Sequence, residues 1–235
     1  MAGGRWTKGR ILGVALATVV VLAGGAYAVF AFLAGGGPEP VSITEASLPA
    51  LPDAGTSAEL DGTWTVVAGD SYVGYRVREQ LASLPAPSDA VGRTTAVVGE
   101  MEVSGLSITN VSVTADMTQL SSDESRRDQR TRDSGPETNT FPEATFVLTS
   151  PIELDAKPAE GEVVEATAEG DLTVHGVTQH VSIPIEARWG GGQIQVAGSL
   201  DVVFADYDIQ APSFGGFVTV EDHGAIELLL IFEQA

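Results

Sequence analysis

The side chains best suited to proton transfer or metal ligation near neutral pH are three histidines, His175, His180 and His223. Their spacing fits no metal pattern. There is no H-x-x-x-H on a helix and no H-E-x-x-H, and the neighbouring carboxylates lack calcium-loop spacing. His175 and His180 flank one short turn, and His223 stands in Val220-Glu221-Asp222-His223-Gly224, so all three read as exposed turn residues. The chain has no cysteine, which removes thiolate catalysis, disulfides and sulfur-ligated metal. A G-x-S-x-G elbow, a phosphate loop and a dinucleotide glycine pattern are all missing. Thirty-two acidic residues leave room for a carboxylate pair, but aromatics at 6 % argue against a sugar-stacking cleft. No catalytic residue, metal or cofactor is therefore assigned.

Arg126, Arg127, Arg130 and Arg132 form the one basic concentration in an acidic domain. They lie in Ser121–Pro136, which has a serine at an N-cap position, acids early, arginines late and Gly-Pro as a stop, and so predicts a short solvated helix. The simpler reading is a charged surface balanced by Asp123, Glu124, Asp128 and Asp133. The sharper one is a docking point for an anionic headgroup or partner.

The elements that would position these groups are strands. From Glu169 to Trp189 two alternating segments flank a turn at Gly176–Gln179. Ala166, Ala168, Gly170, Leu172 and Val174 share one face, and Val181, Ile183, Ile185, Ala187 and Trp189 continue it, opposite Thr173, His175, His180 and Ser182. Period-2 alternation also marks Thr63–Val67, Tyr72–Arg78, Ala96–Val103, Leu106–Met117, Thr145–Leu154, Gln193–Phe204 and Ala225–Glu233. Leu81–Val91, with two prolines, and Asp206–Val218 read as loops. About eight hairpin-linked strands with one helical insertion predict an all-β antiparallel barrel or sandwich. Inward candidates such as Ala115, Ala166, Ala168, Gly170, Ala187 and Gly198 are small, so a barrel built from them either encloses a ligand or packs solid.

Charge is divided along the chain. Arg5, Lys8 and Arg10 are the only charges before residue 35, and all 32 acids follow, against nine basic residues, leaving −23. Such a domain will not hold nucleic acid through its phosphates. Between these regions Ile11–Ala34 is an uncharged run of 24 residues, long enough to cross a ~30 Å hydrocarbon core. The basic residues before it place the N-terminus in the cytoplasm and the domain outside. Ala26-Tyr27-Ala28 offers the rival reading of a cleaved signal peptide and a secreted or periplasmic domain. The expected organisation is a basic tail over 1–10, an anchor over 11–34, a Pro/Gly/Ser-rich linker over 35–58 and a barrel over 59–235.

Four passages in order carry a family resemblance. They are Asp61-Gly62-Thr63-Trp64-Thr65-Val66 with Ser71-Tyr72-Val73-Gly74-Tyr75; Arg127-Asp128 followed by Phe141-Pro142-Glu143-Ala144-Thr145-Phe146; Gly170-Asp171-Leu172-Thr173-Val174-His175-Gly176-Val177-Thr178; and Asp206-Tyr207-Asp208-Ile209 with Pro212. Together they resemble the YceI-like family of exported, lipocalin-like barrels that bind polyisoprenoid lipids. Asp208 departs from the family pattern, standing where glycine is usual. The resemblance implies an eight-stranded lipocalin-like barrel with an apolar channel, non-enzymatic lipid binding and export. The expected ligand is a polyisoprenoid or an isoprenoid quinone, and the net charge of −23 favours a neutral headgroup over a phosphate. Alternation selects Val73, Tyr75, Val77, Val113, Ala115, Phe146, Leu148, Leu172, Val174, Ile183, Ile194, Val196 and Phe204 as ligand-binding wall, with Phe214 and Phe217 at the mouth. A homodimer is compatible with the sequence. The alternatives are a cell-envelope interaction module with a packed barrel, and an unrecognised envelope hydrolase.

Overall fold

Alternating β-branched and small residues favour extended backbone, and tight turns set the register between strands. His175-Gly176 joins two strands with φ of 53° and 74°, and Gly191-Gly192 joins the next pair with 58° and 79°. Two consecutive positive φ values define the type I′ turn, whose twist matches that of the strands it connects. The computed structural model describes residues 41–42, 50–52, 59–82, 86–211, 213–214 and 218–235. The anchor expected over Ile11–Ala34 and the mouth residue Phe217 lie outside the described residues.

The strands are β1 (Gly62–Val66), β2 (Tyr72–Leu81), β3 (Ser88–Thr94), β4 (Val97–Ser104), β5 (Ser107–Asp116), β6 (Ser121–Ser122), β7 (Glu143–Leu148), β8 (Ile152–Glu153), β9 (Val164–Val174), β10 (Val177–Gly190), β11 (Gln193–Val203), β12 (Ser213–Phe214) and β13 (Val218–Gln234). Among the described residues one α-helix, α1 (Ser125–Asp133), lies between β6 and β7. Eight strands form a ring in the order β1-β4-β5-β7-β9-β10-β11-β13, closed by antiparallel pairing of β1 with β13 at Trp64–Gln234 and Val66–Phe232. β2, β3 and β6 continue from the other half of β13. The all-β antiparallel barrel expected from the sequence is the fold observed.

Two expected loops are partly strand. β3 lies within the proline-bearing segment, because Pro87 directly precedes its first residue, where a missing N–H costs no ladder bond. β13 starts at Val218 and keeps pairing with β2 across a bulge between Val220 and Gly224. His223 sits in that bulge, so it belongs to a strand and not to a turn.

The interior is packed solid beside β1. Trp64, with no exposed surface, joins Val97, Met101 and Phe232 in one cluster, and its indole N–H donates to the Leu60 carbonyl at 2.8 Å. On the outer face Glu227 is 1 % exposed and is held by Arg76 at 2.7 Å and Arg93 at 3.6 Å. Val41, from the expected linker, packs against the cluster of Ala197 and Leu229, as does Tyr72, and the Ser42 hydroxyl donates to Glu186.

Candidate functional site: the barrel lumen

The inward faces of β5, β7, β9, β10, β11 and β13 enclose a cavity of about 170 Å³ lined almost wholly by aliphatic and aromatic side chains. A second cavity of about 640 Å³ lies toward α1. Val73, Ala144, Leu172 and Ile226 line both, so the two adjoin across that ring. The lumen thus runs from α1 to the opposite end, where Leu106, Leu154, Lys157 and Pro158 stand. There Trp189 fixes its loop by donating to the Pro158 carbonyl at 2.9 Å, and the Lys157 ammonium lies 5.4 Å from the Trp189 ring centre.

The parity read from the sequence places its residues in this space. Val113, Ala115, Phe146, Leu148, Ile183, Ile194 and Val196 line the narrower cavity; Tyr75, Val77, Val174 and Phe204 line the wider one; Val73 and Leu172 line both. Phe214 belongs to the short strand β12, whose backbone pairs with Val218. Sequence reasoning passed over Ile226, Leu228, Leu230 and Phe232 on β13. Their alternation is masked by Leu229 and Ile231, which face outward yet are buried. Tyr207, in a 3-10 turn over Phe204–Tyr207, was also missed.

The small residues divide into two kinds. Ala115, Ala166, Ala168 and Ala187 line the lumen. The space beside Gly170 is already taken: a Cβ there would lie 2.5 Å from the Phe146 ring and 2.5 Å from the Val147 carbonyl oxygen. Phe146 therefore covers Gly170 across the β7–β9 pair, and that glycine leaves no free volume.

The α1 end is polar. Glu124 caps the helix by accepting from the Arg126 backbone N–H, a role expected of a serine. Arg126, Arg127 and Arg130 line the wider cavity together with Glu79, Asp123 and Glu124. Arg127 donates to Glu79 at 2.7 Å and also pairs with Asp123 one turn earlier. Asp128 accepts from the Ser122 backbone and hydroxyl, tying the helix to β6. This face of the helix roofs the cavity, so it is more than a solvated surface.

His175 corrects another expectation. Its side chain is only 8 % exposed, with its ring centre 4.1 Å from that of Phe141 and tilted 58° to it. Nδ1 lies 3.0 Å from the Tyr207 carbonyl and Nε2 lies 3.1 Å from a Glu137 carboxylate oxygen. Both contacts are hydrogen bonds when the ring carries both protons. His175 thereby clamps the Tyr207 turn and the segment after α1 onto the β9–β10 hairpin. The turn ends in Asp208 at φ 55°, a left-handed conformation that aspartate tolerates better than most residues. His180 and His223 are exposed as expected, beside Asp171 and beside Glu221 and Asp222. Among the described residues no three His, Asp or Glu side chains converge as metal ligands would.

Burial sets the protonation of the lumen tyrosines. It pushes the Tyr75 phenol up to about 12, with neighbouring Arg127 opposing the shift. It raises Tyr207 as well, aided by the charge of Asp206. Both hydroxyls are neutral donors at physiological pH.

Such an arrangement, a closed antiparallel barrel with an apolar lumen roofed by one helix, defines a class of lumen-bearing barrels, and comparison with known proteins fixes the family. Residues 64–232 match the YceI-like domain, and the chain belongs to that family. Among individual proteins, UPF0312 proteins of Vibrio parahaemolyticus and Vibrio campbellii are each 31 % identical over 121 residues, covering 48 % of this chain and 60 % of theirs. The chain thus spans about three-fifths of the length of the curated relatives it matches. Two solved structures share the fold. A polyisoprenoid binding domain from Saccharophagus degradans implicated in plant cell wall breakdown superposes with a TM-score of 0.58 at 18 % identity, covering 73 % of this chain and 98 % of that one. Burkholderia cenocepacia BcnA superposes with a TM-score of 0.53 at 19 % identity, covering 71 % and 98 %.

Proposed function

We propose that the protein is a membrane-tethered, extracytoplasmic carrier that holds a polyisoprenoid or an isoprenoid quinone in its barrel lumen. The observation that carries this reading is the lumen itself. Packed interiors contain few voids larger than one water, about 30 Å³, whereas the wider cavity alone measures about 640 Å³. The narrower cavity that adjoins it has almost wholly apolar walls, which match a hydrocarbon chain and offer little to a polar substrate. The polyisoprenoid-binding domain that shares the fold supports the same ligand class. The apolar run Ile11–Ala34, with Arg5, Lys8 and Arg10 before it, supports an anchored domain outside the cytoplasm. A carrier near the bilayer surface has its lipid source within reach.

The test is uptake of an added isoprenoid quinone by the purified full chain, with Val196→Trp as the comparison. Val196 faces the narrower cavity, and an indole there fills the path of the tail. Quinone uptake by the parent protein, and its loss in a folded Val196→Trp variant, is the expected result. Equal uptake by both would place the ligand elsewhere.

A further inference from the structure

We propose that the α1 end of the lumen is a headgroup site for an uncharged, oxygen-bearing lipid head, with the hydroxyls of Tyr75 and Tyr207 as its hydrogen-bond donors and the tail directed toward Leu106. The inference rests on the lipid-binding reading above and adds which head the lumen selects and which way the lipid lies.

Both tyrosines line the wider cavity, and one carries a defect that a ligand would remove. The Tyr207 hydroxyl is shut off from solvent with no hydrogen-bond partner among the described residues, in a residue only 3 % exposed that lines the wider cavity. The hydroxyl of Tyr75, a half-buried residue, hydrogen-bonds to none of the described residues and stays open to the cavity's contents. A buried hydroxyl without a partner costs free energy, and phenols in apolar surroundings are usually paired. Both positions are actively held. The Tyr75 ring occupies the space a Cβ on Gly92 would need, 2.5 Å away. Tyr207 is clamped through its carbonyl by His175. Two donors fixed on one cavity with nothing to receive them fit an acceptor brought in by the ligand.

The charged residues of the same cavity exclude an anion as the preferred head. Three arginines are matched by three carboxylates, and Arg127 is committed to two of them. No net positive charge remains for a phosphate, and the −23 carried after residue 35 repels one at long range. The narrower cavity offers almost no polar atom along its walls, so the hydrocarbon belongs there and the oxygen belongs under α1.

Displacement of one fluorescent prenyl probe from the full chain in detergent measures three competitors on a common scale: menaquinone-4, whose quinone carbonyls accept hydrogen bonds; squalene, which has no oxygen; and geranylgeranyl diphosphate. The parent protein should prefer the quinone to both others. The double variant Tyr75→Phe with Tyr207→Phe should weaken quinone binding about three- to tenfold per hydroxyl and leave squalene unchanged. Each single variant should give part of that loss, and near-ultraviolet circular dichroism verifies the fold. Unaltered quinone binding in the double variant, an equal loss for squalene, or a preference of the parent for the diphosphate would each overturn the headgroup site while leaving lipid binding intact. Displacement by none of the three would overturn the lipid-binding reading itself.

Discussion

Tyr75 concentrates what single residues contribute here: a phenol that the alternation points inward and that burial keeps neutral. Its ionisation near 12 makes a defined pH dependence. The folded state holds this proton more tightly than the unfolded chain, whose phenol titrates near 10. The stability it contributes is full below pH 10 and is lost as pH rises toward 12. In an ultraviolet titration of tyrosine ionisation, Tyr75→Phe should remove a phase near pH 12; persistence of that phase would assign it to another phenol. Glu227 is the corresponding case on the outer face. Its carboxylate is buried between Arg76 and Arg93, so Glu227→Ala removes the one buried anion that both cations share, although Arg76 keeps Asp89 at 3.3 Å. Denaturant unfolding should show a loss of about 3 kcal/mol, and a loss below about 1 kcal/mol would mean that solvent already screens the site.

At the scale of elements, the β9–β10 hairpin was legible because one of its faces is buried or half-buried along its length, and period-2 alternation then fixes which side chains face in. The same logic placed Val113, Ile194 and Val196 on the lumen. It failed where the cause is not local. The outward residues Leu229 and Ile231 are covered, which blurs the pattern of β13; a bulge hides the first part of that strand; and Pro87 disguises the start of β3. The cavity roof was illegible for a similar reason: α1 has no apolar stripe, and its docking depends on the Arg127–Glu79 pair between segments 48 residues apart. The covering of Gly170 by Phe146 is likewise a cross-strand event with no sequence period. It predicts that Gly170→Ala, despite removing a flexible residue from a strand, destabilises the barrel by about 1–3 kcal/mol, because the Val147 carbonyl cannot move aside as a side chain would. A raised melting temperature in that variant would show that the β7–β9 contact is looser than this geometry requires.

For the whole molecule, a cysteine-free acidic barrel with a packed flank at Trp64 and an open lumen toward α1 has divided its interior between stability and binding. The buried cluster beside β1 and β13 holds the ring closed, while small residues on β5, β9 and β10 leave room along the axis. The linker residues Val41 and Ser42 contact the barrel's outer wall, which places the chain leaving the expected anchor against the domain it would carry. The central claim is that the lumen is a lipid site, and the direct measurement is organic extraction of the purified full chain, expressed in a host that makes isoprenoid lipids, followed by mass spectrometry. The account predicts a polyisoprenoid or isoprenoid quinone recovered near one per protein, and much less from Val196→Trp. Extracts with no stoichiometric lipid, together with no uptake of added quinone, would contradict it and leave the barrel as an envelope interaction module.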